Sequence, residues 1–134
     1  MERLRERLAT AQRALETLEE LLVKPHRTPV ERDAAIQRFE YTFEATWKAA
    51  HLYLREVEGI EVGSPKRAVR ASRSVGLLDA EEARHLLALV DDRNLTAHTY
   101  NERLAAQIDS RLPDHARLLR HWLEQMTARI SQAS

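Results

Sequence analysis

Arg93 and His98 carry the side chains best suited to chemistry, in the segment Asp91-Asp92-Arg93-Asn94-Leu95-Thr96-Ala97-His98-Thr99-Tyr100-Asn101-Glu102. A guanidinium binds two phosphate oxygens at once and stabilises charge that develops in a transition state. An imidazole moves protons near neutral pH without a metal. An arginine beside a histidine therefore suits phosphoryl transfer from RNA. Other routes are narrowed by composition. The chain has no cysteine, so disulfides, thiolate metal sites and cysteine nucleophiles are excluded. Its six histidines, at 26, 51, 85, 98, 115 and 121, are dispersed and form no His-Glu-x-x-His, so no dedicated zinc site is expected.

R-x4-H also occurs by chance in arginine-rich helices. The bland alternative is an ion pair from Arg93 to Asp91 or Asp92, with His98 hydrogen-bonded at a helix end. If one unbroken helix spans both residues, His98 is rotated about 140° from Arg93. One helix would then not aim both at a single atom. Either the backbone loosens around Thr96, or the pair works across a groove that a second copy of the chain completes.

The elements that position this segment follow from punctuation. Three glycines, four prolines and no alternating Val/Ile/Thr run indicate an all-α fold. Leu4, Leu8, Ala11, Leu15, Leu18 and Leu22 form one stripe of a first helix that stops before Pro25. After a connection over residues 25–29, a second long helix runs from about Val30 to Val57, with Ile36, Phe39, Phe43, Trp47, Ala50 and Leu54 as its buried stripe and Gly59 as its stop. The aromatic stripe reads as packing rather than base stacking, and Glu44 to Lys48 as a surface pair. Ser64-Pro65 opens a short helix that ends at Gly76. Asp79 and Glu82 form a capping box for the next, whose Leu86, Leu89 and Val90 face the core. Extending that stripe puts Arg93 into the buried seam. Asn101 caps a further helix, and Leu112-Pro113 either kinks it or starts a new one, with Leu119, Trp122, Leu123, Met126 and Ile130 inside. These elements predict one domain over residues 1–134, an antiparallel up-and-down bundle of four main helices with one or two short ones.

The 21 basic and 21 acidic residues sum to zero net charge, which argues against bulk polyanion binding, yet they are segregated. Residues 64–78 hold Lys66, Arg67, Arg70 and Arg73 and no acid, whereas residues 79–92 hold five acids against Arg84. Arg67, Arg70 and Arg73, at threefold spacing, form a candidate phosphate-binding strip, or a solvated face. His115 and His121 with Arg117 and Arg120 make the last helix mildly basic, as a second RNA contact or plain surface. The N-terminal MERLRERLAT lacks the apolar core of a secretory signal, and no apolar run approaches the ~20 residues that span a bilayer. A cytoplasmic protein without membrane contact is expected.

RNLTAHTYNE, FEYTFEATWKAAHLYLREVEGI at 39–60 and SPKRAVRASRSVGLL at 64–78 together resemble the nucleotidyltransferase substrate-binding protein family, part of the HEPN superfamily of small helical proteins. The resemblance implies a helical bundle that forms a homodimer or higher homo-oligomer with the R-x4-6-H motifs facing each other. It implies a separately encoded minimal nucleotidyltransferase partner, commonly as a toxin and antitoxin pair. It also implies RNA cleavage without metal or other cofactor by the motif residues, here Arg93 and His98, with Asn94 as the expected polar residue after the arginine. The longer form R-x4-H-x-Y implies that Tyr100 is adenylylated by the partner to silence the toxin. The alternative is a non-catalytic subunit that binds the nucleotidyltransferase or its substrate. The chain is not itself a nucleotidyltransferase, because it has no Asp-x-Asp.

Overall fold

The stripe of four-and-three steps at the N-terminus becomes α1 (Glu2–Leu22), burying Leu4, Leu8, Ala11, Leu15 and Leu18, with Leu22 half-buried at its end. α2 (Pro29–Val57) begins on a capping box: the Thr28 hydroxyl accepts from the Glu31 N–H at 3.1 Å, and the Glu31 carboxylate accepts from the Thr28 N–H at 2.9 Å. Pro29 therefore belongs to the helix and not to the connection, because a missing N–H costs nothing in the first turn. Gly59, at φ 71°, ends the helix in the left-handed region where a Cβ would be strained. α3 (Pro65–Ser74) starts at Ser64, and α4 (Ala80–Leu95) at the Asp79–Glu82 capping box. A one-turn 3-10 segment (Thr96–His98) leads to α5 (Glu102–Ala133).

The computed structural model describes residues 1–133, and among these there is no strand and no helix long and apolar enough to cross a membrane. Cross-contacts give the helix directions. Met1 approaches Glu56 while Arg38 donates to the Thr17 carbonyl, so α1 and α2 are antiparallel. Arg32 meets Glu102 and Glu58 meets Arg129, so α2 and α5 are parallel; Glu82 meets His121 and Asp92 meets Arg111, so α4 and α5 are antiparallel. α1, α2, α4 and α5 thus alternate in direction, and α3 is the short extra helix. Leu15, Phe39, Phe43, Tyr53, Leu86, Ile108 and Trp122 belong to one continuous apolar core. At one edge of it the Trp122 indole N–H donates to Ser72 at 3.1 Å and ties α5 to α3.

α5 continues as one helix through Pro113. A proline inside a helix frees the carbonyl four residues earlier, here that of Asp109. Arg27, from the α1–α2 connection, takes it: Nη2 lies 3.3 Å from the Asp109 carbonyl and Nε 2.8 Å from its carboxylate. The Arg27 side chain is only 7% exposed. One residue thus satisfies both the carbonyl that Pro113 frees and the carboxylate of Asp109. Arg27→Ala is expected to lower stability by about 2 kcal/mol, measurable by urea unfolding. A change below a few tenths of a kcal/mol would mean that water replaces the guanidinium.

Candidate functional site at the end of α4

Beyond Val90 the buried face of α4 shifts. Asp92 and Thr96, only 7% and 5% exposed, enter the seam in place of Arg93. The expectation that Arg93 lies in the seam is thereby corrected: the stripe continues from Leu89 in steps of three and four, which reach Asp92 and Thr96. Arg93 lies at the edge, half-buried. Its Nη2 is 3.6 Å from Glu44 Oε1 on α2, and its Nε is enclosed without a hydrogen-bond partner.

The helix does break at Thr96, by tightening rather than loosening. The Thr96 N–H bonds back to the Arg93 carbonyl, three residues away, and starts the 3-10 turn. The Thr96 hydroxyl lies 2.6 Å from that same carbonyl and 3.0 Å from Glu40 Oε2, sharing one proton between two acceptors. Such local side-chain bonds compete with the helical ladder. His98 ends the turn, exposed. Its Nδ1 is 3.3 Å from the Tyr100 hydroxyl, with the rings edge to face at 5.8 Å between centroids. Tyr100 is 82% exposed. The Asn101 side chain accepts the Leu104 N–H at 3.0 Å and caps α5. Among the described residues, no hydrogen bond joins Arg93 to His98 within the chain.

Neither acid beside Arg93 pairs with it. Asp91 binds Lys66 of α3 at 2.7 Å, while Asp92 accepts Arg111 Nε at 2.7 Å, Arg111 Nη2 at 2.9 Å and His115 Nε2 at 2.7 Å. Glu44 turns to Arg93, and no ion pair joins it to Lys48 among the described residues. His115 is buried against Phe39, the rings stacked at 5.4 Å, with Nδ1 enclosed and unpartnered. Reading His115 as surface or as an RNA contact is therefore corrected. Its place three residues after Leu112 and four before Leu119, on the buried stripe of α5, was the signal that could have found it. Burial alone would raise the Asp92 carboxyl, but the Arg111 fork and His115 outweigh it and hold it below the ordinary range. Burial pushes His115 down, against the pull of Asp92. Because Arg111 already neutralises that carboxylate, a neutral imidazole donating from Nε2 fits the site.

Asn94 is exposed on the turn of helix that carries Arg93, and Arg67, Arg70 and Arg73 are exposed along α3. Among the described residues the three guanidinium groups make no ion pair or hydrogen bond. The Lys66–Asp91 contact sets Arg67 at the motif end of α3, with Arg70 and Arg73 leading away beside α4. Arg70 and Arg73 line a cavity of about 690 Å³ together with Arg84. No group of three or more His, Asp or Glu side chains is arranged to hold a metal ion among the described residues.

The alternating bundle has the fold of a solved HEPN toxin. It superposes on a Shewanella oneidensis HEPN toxin, tri-AMPylated and in complex with MNT antitoxin, with TM-score 0.76 at 16% identity, covering 93% of this chain and 96% of that one. A Haemophilus influenzae protein, described as having the fold of a substrate binding domain of a nucleotidyltransferase, superposes with TM-score 0.75 at 21% identity, over 90% of this chain and 98% of that one. Residues 6–128 match the family described as nucleotidyltransferase substrate binding protein like, and the chain belongs to that family. A protein of Thermus thermophilus is 60% identical, with TM-score 0.84 over 87% of this chain and 98% of that one. No curated protein sequence matches the chain.

Proposed function

We propose that the chain is a HEPN-type toxin, a metal-independent endoribonuclease that acts as a homodimer and is silenced by a separately encoded minimal nucleotidyltransferase. The reading is carried by one observation. The break at Thr96 leaves His98 exposed beside Tyr100, while Arg93 sits at the same helix end with a loose partner and an unpartnered Nε. Arg93 holds the scissile phosphate. His98 takes the proton of the neighbouring 2′-hydroxyl, whose oxygen attacks phosphorus. The 5′-oxygen leaves with a proton supplied by the second histidine of the dimer, giving a 2′,3′-cyclic phosphate and a 5′-hydroxyl. Because Nδ1 of His98 faces Tyr100, Nε2 is the nitrogen free to move protons. Asn94 and the Arg67, Arg70 and Arg73 strip supply further contacts to the RNA backbone.

Incubating RNA with the purified chain in excess chelator is expected to give fragments ending in 2′,3′-cyclic phosphate. Intact RNA over a broad range of RNAs and salt concentrations would sink the nuclease reading. Silencing has its own test. With ATP and the partner, mass spectrometry is expected to find AMP on Tyr100, with the adduct lost in Tyr100→Phe. That variant should still cleave RNA and should resist the partner. An adduct elsewhere, or none, would remove Tyr100 from the scheme.

The family description favours a second reading, a non-catalytic subunit that binds a nucleotidyltransferase or its substrate. It predicts a stable complex with the partner and no cleavage by the isolated chain.

A further inference from the structure

Three cations line a cavity between α1 and α2. Arg3 and Arg7 stand one turn apart on α1, and Lys48 faces them from α2, around about 480 Å³. Among the described residues none of these side chains has an ion pair or hydrogen bond. Like charges four residues apart on a helix repel each other, and Lys48 adds a third. Glu6 and Glu44 on the same walls offset two of the three charges, but Glu44 is directed at Arg93. A cationic excess is left that an anion would relieve. Tyr41 lines the same cavity, 57% exposed. Glu44 is thus a shared wall: one side borders this groove and the other lies 3.6 Å from Arg93.

We propose that the groove binds a nucleotide of single-stranded RNA next to the one held at Arg93. Its base stacks on Tyr41, and its flanking phosphates contact Arg3, Arg7 and Lys48. The cavity is in the size range of small-ligand sites, and an aromatic face beside a cationic track is how single strands are held without sequence readout. An acidic polypeptide would use the cations and leave Tyr41 idle. The inference rests on the RNA reading of Arg93, and binding and cleavage separate the two.

The probe is a 2′-O-methyl oligouridine, which lacks the attacking hydroxyl and cannot be cleaved, titrated into the full chain by fluorescence anisotropy at several salt concentrations. Tyr41→Ala is expected to weaken binding roughly tenfold, and Tyr41→Phe, which keeps the stacking face, to leave it unchanged. Arg7→Gln and Lys48→Gln should each flatten the slope of log affinity against log salt by about 0.7. Thermal melts would confirm that these surface variants fold. Unchanged affinity and slope in all three loss variants overturns the groove whether or not RNA is cleaved. Groove-dependent binding without any cleavage of ordinary RNA upholds the groove and overturns the nuclease. Equal displacement by polyglutamate, with Tyr41→Ala silent, overturns it in favour of an acidic polypeptide. No binding of the oligonucleotide at all overturns the groove, while the nuclease reading stands or falls on cleavage of ordinary RNA.

Discussion

Arg93→Ala and His98→Ala are each expected to cut RNA cleavage by about 10² to 10⁴-fold. A positioned general acid or base contributes about 10² to 10⁴-fold, and one preorganised donor to a developing anion about 10² to 10³-fold. The two losses should not add. If both residues act in one transition state, the double variant falls little below the worse single one. Arg93→Lys is informative too: it keeps the charge but loses the fork, so most of the loss should remain. The structural effect of these changes should be small. His98 is exposed, and Arg93 makes only the loose contact to Glu44, so melting temperatures should stay within a few degrees of the parent. Undiminished cleavage by the Arg93/His98 double variant would falsify the proposed chemistry.

Asp92→Ala should destabilise the fold by about 3 kcal/mol, a drop of roughly 10 °C in melting temperature for a chain of this size. The carboxylate is the common acceptor for Arg111 and His115, and its side chain is only 10% exposed. Removing it leaves the buried His115 N–H without an acceptor. Arg111, 45% exposed, can turn to water, which keeps the cost from rising further. A fall of less than about 2 °C would show that water already serves the cluster.

The pH dependence follows with a definite sign. His115 has a folded-state pKa below its ordinary 6.5, so the unfolded chain binds more protons and stability falls as pH drops from about 6.5. Asp92 is held below its ordinary 3.8, so its contribution is present above that value and is lost as pH falls through the lower folded pKa. Both act in the same direction. Stability should be greatest near neutrality and decline in two stages on acidification. In His115→Asn the upper stage should flatten while the lower one persists, which pH-dependent urea unfolding would read. Arg93→Ala should leave the stability profile in place.

Most of the architecture was legible because helices announce themselves locally. The capping boxes at Thr28–Glu31 and Asp79–Glu82, Ser64-Pro65, and the glycines at 59 and 76 mark ends that depend on backbone geometry within a few residues. The stripes of α1 and α2 told which faces would meet. Arg93, His98 and Tyr100 stood out by type and spacing, and the order of the three sequence blocks pointed to the family.

What the sequence could not show were pairings between residues far apart in the chain. Pro113 left a kink or a new start open; α5 does not start anew there, and the carbonyl of Asp109 that the proline frees is taken by Arg27, 82 positions away. Asp92 chose Arg111 and His115 over its neighbour Arg93, and Glu44 chose Arg93 over Lys48.

By itself, then, the sequence determined an all-helical chain, its helix ends and the residues able to do chemistry, because propensity, capping and periodicity act over one or two turns. Tertiary structure alone decided which charges are satisfied and which stay open to a ligand. A buried ion needs a partner, and the partner that wins is the one packing brings within about 3 Å rather than the one adjacent in the chain.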